Sequence, residues 1–337
     1  MLLPDNKVHF KKNIKAWLHQ RGYLSQFLKA SNFTPRTSIS VHSKVVNQMN
    51  SKTGGDLYRV AIPEYKNALI VGVDMISMGG GRAAKVLSCV ATRSQTLTQC
   101  YSKAYRLGEP SVDEGVDCQK YQTLKRKVIK DLKRSESRAE ALCSFLREAI
   151  GEYKKSSKGK NPEKIIIYRD GLGCLNEVND RVITIEVDAV KSLLSTLSQG
   201  YSPSLLYCLV DRNQPHRLFL KDHQHQMINP KSGTCVDTGL VETQGDRLYE
   251  FYLIPHNATV ATAKPVLFKV VENTLQGVSK LNVETATYHL CFNYYNFAGP
   301  IKVPMVCMYA RKLCQYMTEN HIEAINQEKL CPYLYYL

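Results

Sequence analysis

The sequence predicts an α/β protein built on a mixed sheet that is flanked by helices. Two apolar runs without polar alternation, "ALIVGVD" and "IIIYRD", are typical of central strands covered on both faces. Each run ends on an aspartate, Asp74 in the first and Asp170 in the second. A strand meander is predicted after the first run and strand–helix alternation after the second, and this combination favours a mixed sheet.

The elements before the second run are a basic, partly helical segment, three strands and a long basic helix. The stretch 38–52 places apolar residues at helical spacing, and Gly54-Gly55 follows as a stop signal. Strands are predicted at "ALIVGVD" and within 85–95 and 96–107, and the long helix over 121–153. Further strands are predicted over 182–187, 204–210, 216–220 and 248–254, and further helices over 286–297 and 303–321.

The charge balance indicates a polyanionic partner. The 337 residues include 45 Lys and Arg against 30 Asp and Glu, which gives a formal charge of +15. The 11 cysteines are scattered through apolar segments without paired spacing, so we expect reduced core residues and a cytoplasmic or nuclear location. No segment has the pattern of a signal peptide or a membrane span, and we expect no membrane partner.

Asp74 and Asp170 form the most informative pair in the sequence. Each follows a strand predicted to be buried, so both carboxylates are expected at the carboxyl edge of the sheet, where ligands collect in open α/β sheets. Two such carboxylates can hold Mg²⁺, which prefers oxygen ligands and stabilises the oxygens of a phosphodiester displacement. Although Asp-Gly is also ordinary turn chemistry, the pair together with the basic charge favours a ribonuclease-H-like fold.

Seven motifs in chain order resemble the Piwi branch of the Argonaute family, and the resemblance covers nearly the whole chain. It implies a partial, Rossmann-like MID domain over 1–66 and a PIWI domain over 67–337. By this resemblance the chain starts within the MID region, and the family's N-terminal lobe and PAZ domain have no counterpart, so we expect a fragment or a short member. The motifs are "LIVGVDM", "TLTQCYSK", "IIIYRDGLG", "NPKSGTCVD", "LCFNYYNFAGPIKVP", "YARKL" and "LYYL".

The resemblance assigns Asp74 and Asp170 as metal-binding aspartates and Mg²⁺ as the cofactor. It implies a third acidic ligand in a loop, for which Glu114 is the first candidate, Glu109 the second, and Asp113 is nearby. Arg311 stands where active members carry histidine, and a guanidinium has no lone pair for a metal. We therefore expect Arg311 to pair with Asp170 or with a scissile phosphate, and the endonuclease to be impaired.

The resemblance also implies RNA-binding residues. Lys52 should contact the 5′ phosphate of a guide and Gln48 help hold an ion there, with Lys15, Gln26 and the terminal carboxylate of Leu337 in the same pocket. Phe10 or Lys11 replaces the family's tyrosine. The residues expected on the RNA backbone are Arg212, His216 and Arg217.

The leading functional hypothesis is a piRNA-like, small-RNA-guided protein that silences genes or transposons. Its partners would be a small guide RNA and a complementary target RNA, with base pairing supplying sequence recognition. One alternative is an active Mg²⁺-dependent guided endoribonuclease. The other is a truncated, non-catalytic module that binds other silencing proteins.

Overall fold

Strands and helices alternate along the part of the chain that the computed structural model describes, residues 2–3, 10–34, 39–77, 85–108, 119–172, 177–197, 200–245, 247–258, 261–320 and 325–337. The helices are α1 (Phe10–Gln20), α2 (Ile39–Lys52), α3 (Gln119–Ser156), α4 (Glu177–Thr196), α5 (Lys280–Leu290), α6 (Met305–Asn320) and α7 (Gln327–Leu330). The strands are β1 (Leu2–Leu3), β2 (Leu28–Lys29), β3 (Ala68–Ser77), β4 (Lys85–Thr92), β5 (Cys100–Leu107), β6 (Lys164–Arg169), β7 (Ser204–Asp211), β8 (Leu220–Lys221), β9 (Met227–Ile228), β10 (Thr234–Val236), β11 (Thr243–Gln244), β12 (Leu248–Ile254) and β13 (Val266–Asn273).

One mixed sheet organises these elements, with strand order β10-β12-β13-β7-β6-β3-β4-β5 and β11 paired to β12. The central strands β3, β6 and β7 run parallel, and their neighbours on both sides are antiparallel. In the central register Val73 lies opposite Arg169, and Arg169 lies opposite Leu209. The predicted mixed sheet and the two doubly buried central strands are confirmed.

The sheet separates two apolar cores. One core is formed with α5 and α6, and the other with α3 and α4. Helix α6 approaches β3 most closely at Gly72, where an added Cβ would lie 2.3 Å from the backbone carbonyl carbon of Val306. Glycine at this position therefore sets how closely α6 can pack against the central strand. Within the described residues, no helix is long and apolar enough to cross a membrane.

The strand predicted over 182–187 is wrong, because these residues lie in α4. Ile183, Val187, Val190 and Leu194 recur at intervals of three or four residues and are buried in the core shared with α3. The β-branched composition of the run suggested a strand, but burial of one helical face outweighs that local preference.

The strand predicted over 216–220 is wrong for all but its last residue. The guanidinium of Arg217 donates hydrogen bonds to the carbonyls of three residues just before it, which closes a turn where the strand was expected. Only Leu220 enters a strand, as part of β8, which pairs with β9 in a separate hairpin.

The helix predicted over 286–297 stops early, since α5 ends at Leu290. Tyr294 and Tyr295 beyond that point are buried in turns, and Phe297 is exposed. Strand β13 had no counterpart among the predicted strands.

We expect Gly72→Ala to lower the free energy of unfolding by about 3 kcal/mol, because its methyl group would meet the rigid backbone of α6. Gly151→Ala is the matched control. Gly151 lies within α3 with no atom within 4 Å of an added Cβ, so alanine there should raise stability by about 0.5 to 1 kcal/mol. Urea unfolding measures both values, and an unchanged midpoint for Gly72→Ala would refute the close packing of α6.

Candidate active site and phosphate pocket

Asp74 and Asp170 lie side by side. Asp170 follows the end of β6 as expected, whereas Asp74 lies within β3, which continues to Ser77 through its pairing with β4. The register that pairs Val73 with Arg169 brings the next residue of each strand together, and the Asp170 N–H donates to the Val73 carbonyl at 2.7 Å. Both aspartates are buried, with exposed fractions of 1% and 3%. The expected neighbouring placement is therefore present, while the catalytic and metal-binding roles stay predictions.

Each aspartate is oriented by the backbone that follows it. Oδ1 of Asp74 accepts a hydrogen bond from Met75 N–H, and Oδ1 of Asp170 accepts one from Gly171 N–H, both at 2.7 Å. Gly171 has φ +79°, and an added Cβ would lie only 2.2 Å from Asp74 Oδ1. The chain can turn this close to the first carboxylate because residue 171 is glycine.

A fully buried ion pair supports the strand end beneath Asp170. Arg169 Nε lies 2.9 Å from Glu186 Oε2 on α4, and the same oxygen accepts a hydrogen bond from Tyr207 at 3.0 Å. The Arg169 guanidinium also donates to the carbonyl of Asp170. Burial alone would raise the pKa of Glu186, but the charge and hydrogen bonds of Arg169 hold that pKa below its usual value. This network ties the backbone of Asp170 to α4 and β7.

Arg212, which follows β7, lies between the two aspartates. Its Nε is 2.9 Å from Asp170 Oδ2, and its Nη2 is 3.8 Å from Asp74 Oδ2. Arg212 therefore forms an ion pair with both carboxylates, and its expected contact with the RNA backbone stays a prediction. Arg311 lines the same cavity but makes no ion pair with a described residue, so the partner of Asp170 is Arg212 rather than Arg311.

The cavity around these groups has a volume of about 410 Å³ and holds both signs of charge. Burial raises the pKa of Asp170 to about 6; Arg212 opposes that shift, and the neighbouring Asp74 adds to it. Burial likewise raises the pKa of Asp74 against the opposing charge of Arg212. The lining residues are Asp74, Met75, Ile76, Asp170, Gly171, Val210, Asp211, Arg212, Asn213, Arg311, Gln315 and Thr318.

The carboxylate pair is the metal-binding candidate at this edge. Oδ2 of Asp74 and Oδ2 of Asp170 are buried, and among the described residues only the Arg212 guanidinium pairs with them. In the described part of the chain, no group of three or more His, Cys, Asp or Glu side chains could hold a metal ion. The predicted loop ligands Glu114, Glu109 and Asp113 lie outside the described residues.

A second cavity, of about 460 Å³, collects most of the predicted phosphate-pocket residues. Lys15 of α1, Gln48 of α2 and the terminal Leu337 line it together. Gln26 donates to Gln48 Oε1 at 3.0 Å, and Lys52 Nζ donates to the carbonyl of Ser25 at 3.0 Å. The sequence therefore located residues that the fold brings together, although phosphate binding by them stays a prediction.

Two buried ammonium groups lie at or near this cavity: Lys15 lines it, and Lys52 does not line it but is close enough to lower the pKa of Lys15. Lys15 and Lys52 are only 8% and 4% exposed. Burial, assisted by the charge of Lys52, lowers the pKa of Lys15 to about 7. Burial and the charge of Lys11 lower the pKa of Lys52 to about 8. Of the two residues proposed for the tyrosine position, Lys11 lines the cavity and Phe10 is an exposed residue.

Helix α6 contributes to both cavities, which the sequence reasoning missed. Lys312 and Tyr316 line the second cavity, which is called the lysine-lined cavity below. Gln315 lines both this cavity and the one around the two aspartates. The Lys15 ammonium lies 4.2 Å from the centre of the Tyr316 ring. The helical spacing of Arg311, Lys312, Gln315 and Tyr316 was the available signal, since it places polar groups on one face of an otherwise apolar helix.

His216 and Arg217 lie on the exposed turn after β7, away from the ion pairs of Arg212. His216 Nδ1 is 3.0 Å from the hydroxyl of Tyr252, and Arg217 is bonded to local carbonyls. Both side chains are exposed, so their contact with RNA stays a prediction.

Comparison with known proteins decides the family, because a family model described as the Piwi domain matches residues 1–322. The chain belongs to the Piwi domain family. Piwi-like protein Ago3 of Bombyx mori is 30% identical over 316 residues, covering 93% of this chain and 30% of that protein. Protein argonaute-3 of Drosophila melanogaster is 30% identical over 320 residues, covering 93% of this chain and 32% of that protein.

Solved structures agree with the Piwi-domain fold. The crystal structure of Drosophila Piwi superposes with a TM-score of 0.75 at 24% identity, covering all of this chain and 41% of that one. The crystal structure of Kluyveromyces polysporus Argonaute with a guide RNA gives the same TM-score of 0.75 at 20% identity, covering 39% of that chain. The predicted ribonuclease-H-like fold is confirmed. This Piwi-domain chain spans about a third of the length of the curated relatives it matches, and the boundary at 66/67 stays a prediction.

We expect Arg212→Gln to raise the pKa of Asp170 above its present value of about 6, because Arg212 is the main cation that opposes the effect of burial. Arg311→Gln is the matched control and should raise the pKa less, since Arg311 is the weakest of the cations and donors acting on Asp170. Carbon NMR titration of the labelled aspartate carboxyl measures both shifts. A larger shift in Arg311→Gln would contradict the assignment of Arg212 as the partner.

The raised pKa of Asp170 makes the free energy of unfolding depend on pH in a definite direction. The pKa of Asp170 is about 6 in the folded chain and about 3.9 in an unfolded one. The folded state therefore binds more protons between these values, and the Asp170 contribution to stability falls as the pH rises through them. In Arg212→Gln this fall should extend to higher pH in urea unfolding.

Proposed function

We propose that this Piwi-domain chain binds a small guide RNA of the piRNA type by its 5′ phosphate and pairs it with a target RNA for silencing, with little or no cleavage. The observation that carries the proposal is Arg212 between the two aspartates, with Arg311 in the same cavity. The guanidinium groups of Arg212 and Arg311 therefore lie where an active two-metal nuclease would bind its metal ions.

The lysine-lined cavity supports the guide-binding part of the proposal. Burying Lys15 beside Lys52 is unfavourable without a further compensating anion, since both pKa values are lowered although Glu319 in the cavity opposes the shift of Lys15. A terminal phosphate would supply that anion and accept hydrogen bonds from both ammonium groups. The solved Kluyveromyces polysporus Argonaute that shares this fold is described with a guide RNA.

The aspartate pair supports a limited metal-binding role. Among the described residues only the Arg212 guanidinium pairs with the two buried Oδ2 atoms, and carboxylate oxygens are the ligands that Mg²⁺ prefers, so Asp74 and Asp170 fit one ion. When bound, Mg²⁺ would stabilise the oxygens of a phosphodiester displacement. Arg212 competes for the same oxygens, and Arg311 has no lone pair with which to complete a second site.

An active endoribonuclease is the second candidate. The observation in its favour is the incomplete pairing of Arg212, whose Nη2 is 3.8 Å from Asp74 Oδ2. If an RNA phosphate drew Arg212 away, both carboxylates would be available to a metal ion, and the acidic residues at 109–114 would be candidates for a third ligand. The cleavage assay below separates the two candidates.

We expect Lys52→Ala to reduce the preference for 5′-phosphorylated over 5′-hydroxyl RNA by about tenfold, because it removes one charge-assisted contact from the pocket. Lys154→Ala, which removes an exposed lysine at the end of α3, is the matched control and should leave the preference unchanged. Binding is measured by filter retention or anisotropy across a salt series.

The pH dependence of RNA binding is a second test of whether Lys15 and Lys52 contact the 5′ phosphate. The ammonium forms exist below pKa values of about 7 for Lys15 and about 8 for Lys52. A bound phosphate raises both values, so the preference for a 5′ phosphate should fall only as the pH rises above about 7. A preference that Lys52→Ala leaves undiminished would refute the pocket assignment.

We expect no efficient cleavage of a complementary target by the unmodified chain in Mg²⁺, because Arg311 provides a fixed cation where a ligand is required. Losing stabilisation of one oxygen costs several kcal/mol of barrier, and each ~1.4 kcal/mol is a factor of ten in rate. Arg311→His should recover only part of the activity, since Arg212 still pairs with Asp170. Efficient cutting that Asp170→Ala abolishes would instead establish the endoribonuclease.

A further inference from the structure

A groove on the opposite side of β13 from α5 and α6 has no role in the proposed function. It lies between α4 and the face of β12 and β13 that α4 leaves uncovered, and its volume is about 320 Å³. The residues that line it are Ile183, Thr184, Val187, Asp188, Glu242, Leu248, Tyr249, Glu250, Lys269, Val270, Val271 and Glu272.

The floor of the groove is apolar and partly open to solvent. Ile183 and Val187 are buried at its base, Val271 is partly buried beside them, and Leu248 is 39% exposed. A side chain that covered Leu248 would remove apolar surface from water, which favours binding. The groove is therefore large enough and apolar enough to accept a side chain from another molecule.

The rim of the groove is acidic in a chain whose formal charge is +15. Four carboxylates and a single ammonium line it. Glu250 is paired with Lys269 at 3.2 Å, and Glu272 with Lys191 at 2.8 Å. Asp188 and Glu242 make no ion pair with any described residue, although the charge of Asp188 acts on Lys191 three residues along α4, so these two carboxylates remain to receive a cation.

The position and charge of the groove argue against RNA as its occupant. Leu267 of β13 pairs with Asp211 beside the aspartate cavity, whereas Glu272 pairs with Tyr207. The groove residues 269–272 are thus about 7 to 17 Å along the strand from that edge, at ~3.3 Å per residue. A phosphate backbone would be repelled by the carboxylates, while a cationic side chain would be attracted.

We propose that the groove docks an arginine-bearing, otherwise apolar segment of a partner protein. The arginine stem lies on Ile183 and Val187 while its guanidinium binds Asp188 and Glu242, and a neighbouring apolar side chain covers Leu248. Arginine suits this site better than lysine because its planar guanidinium pairs with carboxylates through two hydrogen bonds and is more weakly hydrated. This surface is separate from guide and target binding and does not depend on them.

The test uses a fluorescein-labelled heptapeptide, glycine-leucine-arginine-valine-arginine-leucine-glycine, and its counterpart with both arginines replaced by glutamate. Fluorescence anisotropy should show saturable binding of the arginine peptide and none of the glutamate peptide, although the chain as a whole repels cations. A peptide with lysine in place of arginine should bind more weakly. Addition of 5′-phosphorylated single-stranded RNA should not displace the arginine peptide.

Variants locate the binding. The double variant Asp188→Asn/Glu242→Gln should weaken arginine-peptide binding by at least about tenfold, and Leu248→Ser should weaken it as well. The matched control is Glu136→Gln/Glu140→Gln, which removes two exposed carboxylates from α3 and should leave the affinity unchanged. All of these substitutions are at exposed positions, so the thermal midpoints should stay close to that of the parent chain.

Three results in the peptide-binding assay would overturn the proposal. They are undiminished binding in Asp188→Asn/Glu242→Gln, equal binding of the glutamate peptide, and displacement of the arginine peptide by RNA. Concentration-dependent self-association that is lost in Leu248→Ser would also overturn it, because the occupant would then be a second copy of the chain.

Discussion

The parallel pairing of β3 with β6 is the constraint on which the rest of this structure depends. Because Val73 lies opposite Arg169, the two residues that follow must emerge together at one edge of the sheet. A shift of one residue in this register would turn one of the aspartates to the other face of its strand. The buried pair of Arg169 with Glu186 maintains the strand end from below, and Gly171 permits the close turn above it.

Helix α6 links the position of β3 to that of the lysine-lined cavity. Its backbone packs against β3 at Gly72, so its position is set by the same central strand that carries Asp74. One side of the helix then presents Arg311 to the aspartates, and Lys312 and Tyr316 to the lysine-lined cavity. Gln315 borders both cavities, which places a candidate guide-anchoring site and a candidate cleavage site next to one another across a single helix.

Positive and negative side chains are distributed unevenly over the chain, so its cavities and its groove differ in charge. Ammonium groups collect at the lysine-lined cavity, and two guanidinium groups face three carboxylates in the aspartate cavity; RNA is the proposed partner of both. The groove beside α4 has the opposite character, with two unpaired carboxylates above an apolar floor. A polyanion and a cationic protein segment can therefore bind at the same time without competing for one surface.

Several features were determined by the sequence alone. Uninterrupted apolar runs identified the central strands, because doubly covered strands leave no room for polar alternation. The same runs placed Asp74 and Asp170 at one edge, and the family motifs grouped Lys15, Gln48 and Leu337, which the fold brings to one cavity. These features are local in the chain, or follow from a register that the apolar runs themselves impose.

Other features were decided only by the tertiary structure. Arg212 pairs with both aspartates because β7 ends beside β6, a neighbourhood that no local pattern specifies, while its contact with RNA stays a prediction. Residues 182–187 have the composition of a strand but form a helix, since their burial against α3 and the sheet outweighs propensity. The acidic groove likewise joins residues from α4, β12 and β13, which are distant in the chain. Contacts between such elements depend on packing across the whole sheet, and this is why the sequence located the aspartates but not the guanidinium that pairs with them.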